Sequence, residues 1–520
     1  MCSSSPSILL INPPVAKPSE PPASIARLGG ALRDAGIDCS LLDLNLACLL
    51  DQFEQECAPS DTWSRRAWKS RHANLDAIRS PVTYQSHDRY HRVAQDLNRV
   101  LWLSGRQAGV DITLENFSSP LHSPLSSEDL LTSAEQFRLN PFFPSFRTHL
   151  ERALSEQAPH CIGLSLSYLS QALTGFALLG YLRAQWPEIR IVAGGGLITS
   201  WMNSPNWDSR MFSGLIDHCV KGPGEAELLH ILGSAADTRM GSYDYSDLPY
   251  DDYLAPGRIL PYAASHGCYW KRCKFCPDYA EDSCYLTRSA DNTLAELNAL
   301  IDTYNPSLVH LLDNAVSPAL LGKFAEGGFT LPWYGFARFE KILEDLDFCR
   351  ALKRSGCMML KLGLESGSQR VLDQLDKGVN LERASRILNN LHRCRIGTYV
   401  YLLFGTPAET EEDAKMTQEF VRNHHETITF FNLAIFNMPV CGEEAEQVED
   451  RFSDGDLSLY CDFHHPTGWD RRRVRTFLQK EFRKDPLIRP IDLRNPGVFG
   501  SNHAPFFCPR KNPAKIILSP

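Results

Sequence analysis

Basic residues are in short supply in this chain. Lysine and arginine contribute 53 of 520 residues against 62 aspartates and glutamates, a formal charge of −9, which leaves no cationic excess to serve as a nucleic-acid footprint. Long hydrophobic runs are absent too: no stretch approaches the length of a membrane-spanning helix, so any membrane contact is expected to be peripheral. The opening residues Met1-Cys2-Ser3-Ser4-Ser5-Pro6 carry no basic region ahead of the short apolar run that follows, so no secretory signal is read there and a reducing cytoplasm is the expected setting. Low-complexity tracts and short-period repeats are also missing. What composition does supply is 43% hydrophobic and 22% charged residues, the balance of a soluble globular protein long enough for two to four domains. In a reducing setting its sixteen cysteines are thiols. Cys48, Cys161, Cys219, Cys349, Cys357 and Cys394 lie mostly within apolar runs, where a thiol packs as a small hydrophobe.

Near the start, Ser7-Ile8-Leu9-Leu10-Ile11 is stopped by Pro13 and Pro14, which predicts a buried strand ending in a loop. Ile25, Leu28, Leu32 and Ala35 then recur at helical spacing, Gly36 closes the helix, and Cys39 to Leu44 predicts a second strand. A strand-helix-strand unit of this kind belongs to a parallel sheet. Residues from about 50 to 155 are polar, aromatic and helix-forming, and predict a mostly helical insertion. Strands at Cys161–Ser167, Ile189–Ala193 and Ile216–Val220 then resume the alternation of an open, doubly wound α/β sheet, so that residues 1–240 read as one domain.

Ligands of such sheets bind at the carboxyl ends of the strands. Here that edge carries Asn12 and Pro13, then Ser165, Ser167 and Gln171, then Gly194, Gly195 and Gly196, and finally Gly222, Gly224 and Glu225. Consecutive glycines let a backbone approach a bulky flat ligand where side chains would collide. One isolated glycine loop is explained as readily by a tight turn; four small, polar loops on one edge argue for a binding site.

An acidic, aromatic and proline-bearing stretch at 241–257 reads as a linker. Beyond it, strand-like runs at Leu260–Ala264, Ser307–Leu312, Leu331–Phe336, Met358–Leu364, Gly397–Phe404 and Ile428–Phe436 alternate with helices, which predicts a partial (β/α)6 TIM-type barrel over 258–440 with its active site at the carboxyl ends of the strands. The remainder, 441–520, is a C-terminal extension in which Arg471, Arg472 and Arg473 read as a solvated helix face. The loop after the first barrel strand holds Cys268, Cys273 and Cys276 within nine residues. Three thiolates on one loop can hold an iron-sulfur cluster by three corners and leave the fourth iron open. The same spacing suits tetrahedral zinc, with Cys284 or His266 as a fourth ligand, and spacing alone leaves both possibilities standing.

The triplet and three later stretches together resemble the radical S-adenosylmethionine (SAM) superfamily. Gly363-Leu364-Glu365-Ser366-Gly367-Ser368-Gln369-Arg370-Val371-Leu372 with Lys377-Gly378 is similar to the fourth-strand signature of its elongator and methylthiotransferase-like branch, and Phe336-Ala337-Arg338-Phe339-Glu340 and the run Phe404-Gly405-Thr406-Pro407-Ala408-Glu409-Thr410 extend the likeness. With the N-terminal sheet, read now as a Rossmann-like domain of the cobalamin-binding type, the pattern resembles the cobalamin-binding radical SAM proteins, the class that includes the class B methylases. The resemblance implies a 4Fe-4S cluster on Cys268, Cys273 and Cys276, SAM on its open iron, and cobalamin at the edge of the N-terminal sheet, and it displaces zinc. Glu365 matches the acidic position that contacts the SAM ribose or amino group; read alone, it is also a first-turn acid of the following helix. Arg338, and Asp313 with its neighbour Asn314, are further cofactor contacts by position, although an arginine there also serves to pair a nearby acid. Two features depart from the pattern. Four residues, Tyr269-Trp270-Lys271-Arg272, separate the first two cysteines where the superfamily has three, and the sheet lacks the Asp-x-His-x-x-Gly motif, so cobalamin would have no histidine ligand.

The function implied by the resemblance is methylation of an unactivated carbon or phosphorus centre through a 5′-deoxyadenosyl radical, on a small-molecule or peptide substrate, with electrons from a donor such as flavodoxin or ferredoxin. A non-methylating rearrangement or cyclisation uses the same fold, and a non-catalytic iron-sulfur or cobalamin sensor or scaffold is the third possibility. The insertion and the C-terminal extension are the expected specificity elements, without a motif that names the substrate.

Overall fold

The computed structural model describes residues 7–236, 240–448 and 451–508. Its contacts divide the chain into two compact units. One runs to Pro261 and takes in Ala280–Leu286 and Asn437–Phe463; the other comprises Tyr262–Tyr279, Thr287–Phe436 and the chain from His464 onward.

In the first unit, strands β1 (Ser7–Asn12), β2 (Asp38–Asp43), β3 (Cys161–Ser165), β4 (Arg190–Gly194) and β5 (His218–Cys219) form a sheet in the order β2-β1-β3-β4-β5. All four pairings are parallel, with Ile8 opposite both Cys39 and Cys161. Ile8 to Ile11 are all buried, as expected of a central parallel strand covered on both faces. After the helix Leu44–Gln52, five more, Thr62–Lys69, Arg71–Ile78, His87–Gln107, Ser127–Glu135 and Phe143–Gln157, occupy the long connection between β2 and β3. Side-chain oxygens of Asp61, Ser86 and Ser126 accept from backbone N–H groups at the starts of three of these five.

The stretch read as a linker is packed into this unit. Tyr253 donates to the buried Asp43 at 2.8 Å, Asp247 accepts from Arg33 at 2.5 Å, and Tyr243 stacks on Tyr245. Residues 280–286 and 437–463 also group here, where sequence order had placed them in the barrel and the extension. The Glu281 carboxylate accepts from Ser200 at 2.8 Å and Asn203 at 3.2 Å, and Leu457 N donates to Leu125 O at 2.9 Å.

The sheet of the second unit comprises β6 (Ile259–Tyr262, of which Tyr262 falls in this unit), β7 (Leu308–Leu311), β8 (Trp333–Ala337), β9 (Cys357–Glu365), β10 (Gly397–Phe404) and β11 (Phe430–Ile435). Their order is β11-β10-β9-β8-β7-β6, and the ladders from β7 to β11 are parallel. Consecutive order with helical crossovers is the arrangement of a partial barrel. Alternate residues separate its two faces. Trp333 lies against Phe324 of the helix Pro318–Glu326, whereas Tyr334 stacks on His310 and Phe336 meets Tyr401 on the opposite, inner face. On that face the Lys361 ammonium stands 2.9 Å from His310 Nε2 and 4.2 Å from the Phe336 ring centre. The Asn495 side chain both accepts from Phe431 N and donates to Phe431 O, satisfying the backbone of β11 as a neighbouring strand would. The fold is therefore the expected one, an open parallel α/β sheet followed by a partial six-stranded barrel. Among the described residues, no helix is long and apolar enough to cross a membrane.

Candidate functional site

The cysteine loop begins where β6 ends and is anchored from both sides. Ahead of it, the buried Asp313 accepts from Ser265 Oγ at 2.5 Å and from Ala264 N at 3.1 Å. Burial pushes the Asp313 carboxyl up, against the pull of those hydrogen bonds. Asp313 therefore fixes the entrance to the loop, and its neighbour Asn314 donates to Asp278 beyond Cys276.

The four-residue spacer turns through a left-handed Lys271, φ +45°. Its Trp270 lies across the segment Leu375–Gly378, with Nε1 donating to Asp376 O at 3.0 Å. Gly378, φ +68°, has to be glycine, since a Cβ there would stand 2.2 Å from the Trp270 ring. Two more bonds fasten the same segments: Arg272 pairs with Asp376 at 3.0 Å, and Lys274 N donates to Leu375 O at 3.1 Å.

Arg338, just past β8, is buried at the centre of this assembly. Its guanidinium lies 4.2 Å from the Trp270 ring centre, Nη2 donates to Lys377 O at 2.5 Å, and Nη1 approaches Cys273 Sγ at 3.9 Å. Glu340 stands 3.6 Å from Arg338 Nε and accepts from Tyr269 at 2.8 Å. Lys377 forms a buried ion pair with Glu365 at 2.8 Å, its ammonium also 5.2 Å from the Phe275 ring centre.

Glu365 ends β9 in a left-handed conformation, φ +67°, where the register with β10 shifts. Gly363 makes room for it, because a Cβ there would be 2.5 Å from Glu365 Oε1. The following helix, Gln369–Gln374, starts at Ser368, so Glu365 is not a first-turn acid. It is a strand-end carboxylate held on the side of the barrel that carries the cysteine loop.

Burial pushes the Cys273 thiol up while Lys377 and Arg338 pull it down, and burial pushes Cys276 up to about 12. Every described cysteine is a free thiol. The structure thus brings Cys273 against Arg338, with Lys377 and Glu365 behind. It does not draw the three sulfurs into one coordination set: among the described residues, no three His, Cys, Asp or Glu side chains stand close enough to hold a metal ion. The donor set nonetheless suits an iron-sulfur cluster, with soft thiols on one loop and two buried cations to offset the negative charge of thiolates and sulfides.

At the carboxyl edge of the first sheet, several residues named as ligand contacts are used internally. Gln171 donates to Asn12 Oδ1 at 3.0 Å and Pro13 O at 2.7 Å while accepting from Ser167 N and Tyr168 N, and Asn12 donates to Asp43 at 2.9 Å. Ser165 bonds Ser24 at 3.1 Å, and Glu225 pairs with Arg27 at 2.6 Å. Gly195, φ +106°, serves close packing, since a Cβ would lie 2.4 Å from Leu166 O. Gly224 and Gly194 are in ordinary contact with Leu28 and Val220. Gly196 has only Ser167 O at 3.6 Å, and the space around Gly222 is open. Tyr168, unremarked in the sequence, is 59% exposed at this edge. A corrin ring fits such an edge through backbone, glycines and one aromatic face, with no histidine or cysteine in the four loops to reach its cobalt.

Trp270 and Lys377 were also missed as site residues. Both were visible in the sequence, one as a spacer and one within a motif, but only the chain path shows that their segments meet.

Solved structures share this architecture. The radical SAM methyltransferase TsrM from Kitasatospora setae, determined with cobalamin and a 4Fe-4S cluster bound, aligns over 84% of this chain and 76% of its own at a TM-score of 0.52 and 15% identity. The cobalamin-dependent SAM radical enzyme OxsB, with aqua-cobalamin bound, covers 92% of this chain and 62% of its own at 0.51 and 12%. The chain has the fold of the cobalamin-dependent radical SAM enzymes. No protein-family model matches it. Among curated proteins, the chain is similar to the bacteriochlorophyllide d C-12(1)-methyltransferase of Chlorobaculum tepidum, 25% identical over 40% of this chain and 46% of that protein. It is also similar to the cytidylyl-2-hydroxyethylphosphonate methyltransferase of Streptomyces wedmorensis, 26% identical over 40% and 41%. The chain thus spans less than half the length of the curated relatives it matches.

Proposed function

We propose that the chain is a cobalamin-dependent radical SAM methyltransferase that modifies an unactivated carbon or phosphorus centre of a small-molecule or peptide substrate. The observation that carries this reading is Cys273, in the three-cysteine loop beside the barrel strand ends, seated against two buried cations with the strand-end carboxylate Glu365 behind them. The fold shared with TsrM and OxsB, and methyltransferases among the curated relatives, support it.

Cys268, Cys273 and Cys276 would hold the 4Fe-4S cluster, Glu365 would accept from the amino or ribose donors of SAM, and the edge near Tyr168, Gly196 and Gly222 would receive cobalamin. When bound, these groups supply one-electron cleavage of SAM and a methyl carrier. The chain's own contribution is to position and to exclude water. Trp270 and Arg338 fix the cysteine loop, Lys377 orients the Glu365 carboxylate, and Phe336 and Tyr401 line the inner face with aromatic surface. The electron would come from an external donor such as flavodoxin or ferredoxin.

Anaerobic reconstitution with iron, sulfide and cobalamin, followed by SAM and a chemical reductant, tests the reading. Wild-type protein is expected to bind iron, sulfide and cobalamin and to release 5′-deoxyadenosine or S-adenosylhomocysteine, and Cys273→Ala to lose at least about 100-fold of that turnover. Wild-type protein that binds iron but leaves SAM intact would contradict the proposal.

A further inference from the structure

We infer that Arg338 serves the cluster and not SAM: it donates a hydrogen bond to the Cys273 sulfur and raises the potential at which a cluster held there accepts its electron. The inference rests on the functional reading above and concerns only how this chain tunes the cluster.

A guanidinium recognises a carboxylate by offering two parallel N–H groups from one edge. The two Nη groups of Arg338 already have partners, with Nη2 on Lys377 O at 2.5 Å and Nη1 beside Cys273 Sγ at 3.9 Å. Its Nε side faces Glu340 at 3.6 Å, and one flat face is covered by Trp270. Only 8% of the residue is exposed. With these contacts and that burial, a SAM carboxylate would compete for the N–H groups that remain and would not meet a free two-pronged edge.

The environment of Cys273 suits the other role. An N–H donor and positive charge close to a ligating sulfur stabilise the added negative charge of a reduced cluster, which moves its potential upward. Arg338 supplies both from a buried position where solvent does not screen them. Lys377 adds a second buried cation, partly neutralised by Glu365.

The lengthened spacer fits the same account. Trp270 lies between the first two cysteines and forms the surface on which the guanidinium rests; its own indole N–H on Asp376 O and its contact with Gly378 hold that surface in place. Arg338 is thus a positioning residue, acting through Cys273.

The test compares wild type with Arg338→Gln, Arg338→Lys and Trp270→Phe after anaerobic reconstitution, reading iron content, the midpoint potential of the cluster by EPR-monitored titration, and SAM affinity. Arg338→Gln is expected to keep its iron, to show a lower potential, and to bind SAM within about twofold of wild type. Arg338→Lys, which keeps the charge and loses the planar fork, is expected to fall between the two. Trp270→Phe should shift the potential downward by less than Arg338→Gln. If Arg338→Gln does not retain iron, Arg338→Lys decides, and a potential equal to wild type in that variant overturns the inference. An unchanged potential in iron-replete Arg338→Gln, with SAM affinity reduced about tenfold, would overturn it and make Arg338 a SAM ligand. Wild-type protein that assembles no cluster would overturn the functional reading itself, a result distinguishable from failure of the inference alone.

Discussion

Glu409 shows what burial does to a single side chain in this molecule. Its carboxylate accepts from Gly405 N at 2.5 Å and from the Trp469 indole at 2.9 Å, yet burial dominates and pushes its pKa up to about 7. The folded state therefore keeps a proton that the unfolded chain releases at the usual glutamate pKa. Between that value and about 7, this residue makes stability fall as pH rises, by about 3 kcal/mol across the window at most. Below the window the contribution is fully present, and above it the loss is complete. Glu409→Gln cannot titrate, so the difference in urea midpoint between variant and wild type should move in favour of the variant as pH rises through this range. A constant difference would contradict the assignment. The cysteines stood out at this scale by identity and spacing, and Glu365 only through the resemblance of the stretch Gly363–Leu372. The contacts of Arg338 were not: Lys377 O and the Trp270 face belong to segments 39 and 68 positions away, and nothing local specifies that they meet.

Among the elements, strands were the most readable. Ile8–Ile11 and Met359–Leu362 are apolar runs or near-runs because a parallel strand is buried on both faces, although Lys361 interrupts the second and finds His310 and an aromatic face inside the barrel. β5 is only His218–Cys219, where five residues were expected, since its single neighbour β4 pairs with just those two. The glycine loop after β4 was read as a space for a flat ligand, and its three glycines prove unequal. Gly195→Ala puts a Cβ 2.4 Å from Leu166 O at a φ of +106°, so it should cost about 2–4 kcal/mol in chemical denaturation. Gly196→Ala, at the start of the helix Gly196–Asn203 with only Ser167 O at 3.6 Å, should change stability by less than about 1 kcal/mol. Equal costs for the two would contradict the division between packing glycine and open glycine.

For the whole molecule, the two architectures were readable from the sequence, and which segments join each of them was less so. Alternating strands and helices follow from local periodicity, whereas the assignment of 280–286 and 437–463 to the first unit depends on partners such as Ser200, Asn203 and Leu125, far away in the chain. The functional reading is a property of this larger scale, because it requires one unit to present a small-residue sheet edge and the other a barrel with a three-cysteine loop. Its core is that Cys268, Cys273 and Cys276 alone anchor a cluster whose remaining iron is available to SAM. The most direct measurement is the EPR spectrum of the reduced, anaerobically reconstituted protein before and after SAM is added. The account predicts about four irons and four sulfides per chain and a signal that changes when SAM binds. A signal indifferent to SAM, or a tightly bound zinc in place of iron, would contradict it.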